Sequence, residues 1–229
     1  MANGGTRVIG ILAMGSSRIY ADWSVPEIWA LNNGYRQVAE MKGHCEKIFL
    51  AHKQVIRQDD GSKIFDWNEM NALADAGIQI INTHRVKGLK ASLFPMKRLN
   101  EKFFSDRSYY SDTVAYLLAY ALDQMTTGKY KDGSLRLVAP LTLKLWGVDM
   151  MEMEEYGLEK GGIEFWLGYA MGLGVKVELT TWEQECNLLR THNGRPYGAK
   201  EFVWKDIDPT GMFRLKTRKG HKEIVLKEK

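Results

Sequence analysis

The chain has 229 residues, 45% of them hydrophobic, with 32 Lys and Arg against 28 Asp and Glu for a formal net charge of +4. That length suits one large α/β domain, alone or with a small appendage, and the apolar content without low-complexity tracts excludes a disordered chain. No apolar run approaches the ~20 residues of a membrane span, the opening residues lack the layout of a signal peptide, and Cys45 and Cys186 have no metal-ligand spacing, so a reduced, cytoplasmic setting with no membrane contact is expected.

The first apolar run, Arg7 to Ala13, ends abruptly in Met14-Gly15-Ser16-Ser17 and reads as a buried strand entering a tight polar turn. Gly15 permits close backbone approach, and the amides and hydroxyls of Ser16 and Ser17 are suited to a phosphate; a plain strand-ending turn explains the same residues. A second run, Glu27 to Leu31, passes into Asn32-Asn33-Gly34, whose asparagine amides offer uncharged donors and acceptors for a sugar or a base edge, or else form a turn with Asn33 or Gly34 at positive φ. Tyr35 to Lys42 reads as a short helix, and Lys47 to Ala51 as a third strand with His52 at its end. Asp66 is the candidate N-cap of a helix over Trp67 to Ala76. Ile78 to Asn82 forms a fourth strand, followed by Thr83-His84 and the basic run Arg85 to Lys90.

Leu93 to Asn100, with Pro95, reads as an extended connector. The strongest helix covers about Tyr110 to Thr126, with Val114, Leu117, Leu118, Ala121, Leu122 and Met125 on its buried side. Ser108, Ser111 and Asp112 lie near its N-terminus, where a residue either caps the helix or helps hold an anion. Lys129 to Gly133 suggests an exposed hairpin turn. Leu143 to Val148 is a fifth strand ending in Asp149, Met151 to Gly162 reads as a polar flexible stretch, Ile163 to Leu173 as a helix, and Val175 to Leu179 as a sixth strand. Phe202 to Trp204 and Met212 to Leu215 suggest an added hairpin in a basic tail.

Strands alternating with helices predict a Rossmann-like α/β fold: a mostly parallel sheet of about six strands, helices on both faces, and a C-terminal β extension. The expected division is a nucleotide-binding domain over residues 1–185 and a basic extension over 186–229 packed on it. Gly15, Ser16, Ser17, Asn32, Asn33, His52, His84, Ser108 and Asp149 then gather at the carboxyl edge of the sheet. Asp149 is the leading catalytic candidate, because a carboxylate ending an apolar strand needs a partner or a ligand. His52 and His84 are alternative bases, although a histidine taken singly is more often a structural or solvent-facing residue. The set contains no metal cage. Phosphate-loop, nucleophile-elbow, metalloprotease and dinucleotide-binding motifs are missing too.

The order Ile-Leu-Ala-Met-Gly-Ser-Ser, Glu-Ile-Trp-Ala-Leu-Asn-Asn-Gly-Tyr, Ser-Tyr-Tyr-Ser-Asp-Thr-Val-Ala-Tyr and Leu-Lys-Leu-Trp-Gly-Val-Asp-Met resembles an uncharacterised bacteriophage protein family. So does the stretch from Glu155-Tyr156 to Gly172-Leu173-Gly174-Val175. More distantly the order is similar to that of bacterial sialyltransferase-type glycosyltransferases, although the first turn lacks their asparagine and proline and their lid histidine has no counterpart. The resemblance implies a metal-independent, phage-encoded glycosyltransferase whose nucleotide-sugar donor is lined by Gly15, Ser16, Ser17, Asn32, Asn33, Ser108 and Asp149. The basic runs make phage DNA, through a modified base, an expected acceptor. The alternative is a non-catalytic nucleotide-binding protein that sequesters a small nucleotide signal or serves a phage complex.

Overall fold

The computed structural model describes residues 5–53, 61, 63–103, 109–127, 134–150, 155–179, 188–189, 214–217 and 220–223. The chain divides into two compact units, residues 1–188 and 189–229. In the first, strands β1 (Arg7–Leu12), β2 (Ile28–Leu31), β3 (Lys47–Leu50), β4 (Gln79–Asn82), β5 (Ser92–Leu93), β6 (Leu141–Trp146) and β7 (Lys176–Leu179) form one sheet in the order β5-β4-β3-β2-β1-β6-β7. Every pairing is parallel. The fold is α/β and doubly wound, with one more strand than expected because the two-residue β5 extends the edge.

Two faces of the sheet are covered, as continuous apolar strands require. Ile9, Ile11, Trp29, Leu31, Phe49, Ile81, Leu143 and Leu145 pack against helices α4 (Thr113–Met125) and α5 (Glu155–Gly172). The alternate residues face the other way. Leu12, Ile28 and Trp146 meet Val38 of α1 (Gly34–Glu40), while Ala30, Ile48, Leu50 and Ile80 meet Met70 of α2 (Trp67–Asp75). The period-2 alternation of a strand thus divides each run between two cores.

Three helix boundaries differ from expectation. Residues 96–103 form α3 (Met96–Phe103), not an extended connector. Pro95 stands just before its first turn, where a missing N–H costs nothing, and Met96, Leu99 and Phe103 supply one apolar stripe at helical spacing. Helix α4 is capped by Asp112, whose side chain accepts from the Ala115 amide, while Ser111 donates to the backbone oxygen of Glu159 in α5 at 2.7 Å. Helix α5 begins at Glu155, inside the stretch read as flexible. One of its glycines serves a close approach: a Cβ on Gly162 would strike the Ser111 side chain. In the second unit β8 (Arg214–Thr217) and β9 (Gly220–Glu223) form an antiparallel pair, while the expected strand at 202–204 and the turn at 129–133 lie outside the described residues.

The amino edge of the sheet is fastened electrostatically. Glu27 accepts from Arg7 Nε and Nη2, both at 2.9 Å, from Trp29 Nε1 at 2.9 Å and from Lys47 Nζ at 3.0 Å, linking the starts of β1, β2 and β3. Burial alone would raise the Glu27 carboxyl, but the bonds from Lys47, Arg7 and Trp29 outweigh it and hold it below the usual carboxylate range. Its stabilisation is therefore complete above the ordinary Glu value of about 4.3 and is lost as pH falls through the lower folded value. Glu27→Gln should cost roughly 1–3 kcal/mol at pH 7 in urea unfolding and flatten the acid limb of stability. An unchanged acid limb would show that Glu27 does not fasten the edge.

Candidate functional site

The strand order reverses between β1 and β6, whose neighbours run outward in opposite directions. Ligands of open α/β sheets bind beyond the carboxyl ends at such a switch point. Here the two strand ends are clasped by one carboxylate. Asp149, 7% exposed, accepts from the Ser16 hydroxyl at 3.0 Å and the Ser17 amide at 3.0 Å. Its other oxygen accepts from the buried Ser17 hydroxyl, which in turn accepts from the Gly147 amide at 2.9 Å. The Gly15 amide donates to the Gly147 oxygen at 2.7 Å.

The glycines follow from this closeness. A Cβ on Gly15 would lie 2.5 Å from an Asp149 oxygen and 2.6 Å from the Gly147 oxygen. Gly147 itself has φ +71° and would meet the Ala13 oxygen at 2.6 Å. Beyond Gly15 the chain makes one 3₁₀ turn, Ser16–Tyr20. The Gly15 and Ser17 amides expected to hold a phosphate therefore already donate within the chain. The Ser17 amide holds the Asp149 carboxylate and the Gly15 amide the Gly147 oxygen, and both oxygens of Asp149, the expected catalytic residue, are engaged in the clasp.

The other expected site residues are distributed along the same edge. The positive φ falls at Asn32, at +47°, and not at Asn33, which has φ −87°, or at Gly34, where the sequence placed it. Asn33 Nδ2 donates to the Ile64 oxygen at 3.2 Å, which fixes the orientation of its amide. The side-chain oxygens of Asn32 and Asn33 are both buried and have no hydrogen-bond partner among the described residues. His52, exposed after β3, stacks on Phe65 with ring centroids 6.0 Å apart. His84 pairs through Nδ1 with Thr83 Oγ1 at 2.8 Å and lines a cleft of about 250 Å3 with Arg85, Val86, Leu89, Ala91 and Leu93. Ser108 lies outside the described residues.

Chain order in a βα unit puts the N-termini of α4 and α5 at this edge too, and there Asp112 stands out. Burial pushes its carboxyl up to about 7 against the pull of the Ala115 amide, with the charge of Glu159 adding to the rise. The sequence names Asp112 only as one of three residues near a helix start; the apolar ring cluster around it, with Tyr110 stacked on Tyr116 and on Trp166, comes from three separate segments. Among the described residues no three His, Cys, Asp or Glu side chains are grouped to hold a metal ion, and no helix is long and apolar enough to cross a membrane. Cys45 is a free thiol pushed up to about 12 by burial, consistent with an inert structural role; Cys186 lies outside the described residues. Searches against family models, curated proteins and solved structures find no match to this chain.

A raised folded value means that the neutral Asp112 is the favoured form. Its contribution to stability is complete below the ordinary Asp value near 3.9 and is lost as pH rises through about 7. Asp112→Asn keeps a capping acceptor without the charge. It should leave stability at pH 4 nearly unchanged and raise it at pH 8 by roughly 2–4 kcal/mol, read by denaturant unfolding across that range. Equal effects at both pH values would show that the carboxyl titrates normally.

Proposed function

We propose that this chain binds a nucleotide sugar at the carboxyl edge of its sheet and transfers the sugar to an acceptor hydroxyl. The observation that carries the reading is the pair of buried, unpartnered acceptors on Asn32 and Asn33, at the end of the strand next to the β1–β6 switch point. Buried acceptors without donors are costly and rare, and ligand N–H or O–H groups would satisfy them. Ribose hydroxyls and nucleobase amino groups are donors of that kind.

The transfer is a direct displacement. The acceptor oxygen attacks the anomeric carbon, the bond from that carbon to the phosphate oxygen breaks, and the nucleotide departs with the electron pair. The acceptor proton passes to a base. Asp112 is the group best tuned for it, since a base works most efficiently when its pKa lies near the operating pH. Asp149 keeps the loop that borders the site in place. The basic run Arg85 to Lys90, of which Arg85 lines the His84 cleft, makes phage DNA with a hydroxymethylated base the first acceptor to try. A second reading, retention of a nucleotide without turnover, is favoured by one observation: both Asp149 oxygens are committed inside the chain.

Calorimetry with uridine, cytidine, guanosine and adenosine diphosphate or monophosphate sugars should find one that binds, with Asn33→Ala weakening it about tenfold for one lost hydrogen bond. With modified DNA present, nucleotide release and added sugar mass should appear, and Asp112→Asn should lower kcat by about a hundredfold or more. Binding without release would favour retention. No binding by any donor would overturn both readings.

A further inference from the structure

The nucleotide reading leaves the base without a seat, and the structure offers one that the sequence did not single out. Between β3 and α2 three rings lie nearly parallel. His52 and Phe65 are 20° apart in plane, and Phe65 and Trp67 are 10° apart with centroids at 5.5 Å. Phe65 is buried at 3% exposure, so it fixes the pile, whereas Trp67 is only partly buried. Phe65 and Trp67 line a cleft of about 470 Å3 together with Lys63, Asp66 and Asn68. That volume lies within the range of small-molecule sites.

The polar lining of this cleft is Lys63, Asp66 and Asn68. The Asp66 carboxylate is already engaged as the cap of α2, accepting from the Asn68 amide at 2.9 Å and the Glu69 amide at 3.3 Å. Asn33 is bonded to the Ile64 oxygen, immediately before Phe65 in the chain, so its unpartnered acceptor and the ring pile share one support. Two strand spacings of about 4.8 Å separate β3 from β1. A nucleotide reaching from the β1 loop toward α2 spans such a distance.

We infer that the nucleobase of the bound nucleotide stacks on Trp67 in this cleft, with Asn33 Oδ1 accepting from the base or its ribose. The assignment rests on the nucleotide reading and adds to it a location and a mode of recognition. Stacking accepts any base, because each has a π face. Choice among bases falls to the hydrogen bond at Asn33.

Calorimetry of the full chain with AMP, GMP, CMP, UMP and ribose 5-phosphate separates the two claims. At least one nucleotide should bind at least tenfold more tightly than ribose 5-phosphate. Trp67→Ala should weaken that nucleotide about tenfold or more, leave ribose 5-phosphate unchanged, and keep the wild-type circular dichroism. Trp67→Phe, which retains a ring, should stay within about threefold of wild type. Nucleotide affinity untouched by Trp67→Ala would overturn the stacking seat and leave nucleotide binding standing; no nucleotide binding in the wild type would overturn both. Equal losses for nucleotide and ribose 5-phosphate would also overturn the seat. A second readout needs no alanine variant: the bound nucleotide should quench tryptophan emission in the wild type and lose most of that quenching in Trp67→Phe. Undiminished quenching in that variant would place the base elsewhere.

Discussion

A single carboxylate holds the switch point of this sheet. Strands β1 and β6 pair over their whole length, but pairing ends at Leu12 and Trp146. Beyond that the two chains would diverge, one toward β2 and the other toward α5. Asp149 ties them there, beside the Gly15–Gly147 backbone bond, by accepting from a backbone amide and two hydroxyls of the opposite loop, one of them buried. Such charge-assisted bonds are the strong ones, and the desolvation of Asp149 makes their loss expensive. The two serines and Gly15 follow from accommodating that one group, while Gly147 is required by its positive φ and by the Ala13 oxygen.

The two edges of the sheet are built on opposite principles. At the amino edge Glu27 meets Arg7, Lys47 and Trp29, and the charges there are paired within the chain. At the carboxyl edge the clasp is closed, yet one strand away Asn32 and Asn33 keep acceptors that nothing among the described residues satisfies. Stability is concentrated at one end and unmet hydrogen-bonding capacity at the other. Protein folds place binding groups on a rigid scaffold in this manner, since strain or unsatisfied groups are tolerated where a ligand relieves them.

Much of the fold was legible because strand composition and the long apolar helix are local signals. The apolar runs read from Arg7, Glu27, Lys47, Ile78, Leu143 and Val175 each became a parallel strand, although β6 starts two residues earlier, at Leu141, and Asp66 capped the helix it was expected to cap. Helix α3 differs from the expected connector although Met96, Leu99 and Phe103 carry the period, because Pro95 reads as a breaker, whereas in the structure it stands just before the first turn. The start of α5 was misplaced because Gly161 and Gly162 look like chain breakers until α4 is placed beside them. For the site, the need of Asp149 for a partner was readable from a carboxylate ending an apolar strand; its choice of Ser16 and Ser17, 133 and 132 positions away, was not. The raised carboxyl of Asp112 and the pile of His52, Phe65 and Trp67 are likewise tertiary facts. Each arises from burial or ring contact between segments that local patterning treats separately.

The clasp is tested most directly by a double-mutant cycle between Ser17 and Asp149, with Ser17→Ala, Asp149→Asn and the double variant unfolded in urea. If Asp149 serves as the built-in anion of the β1 loop, the two changes should be strongly non-additive, with a coupling of about 1.5 kcal/mol or more. Additive losses, with a coupling near zero, would contradict the account and return Asp149 to the pool of free catalytic groups.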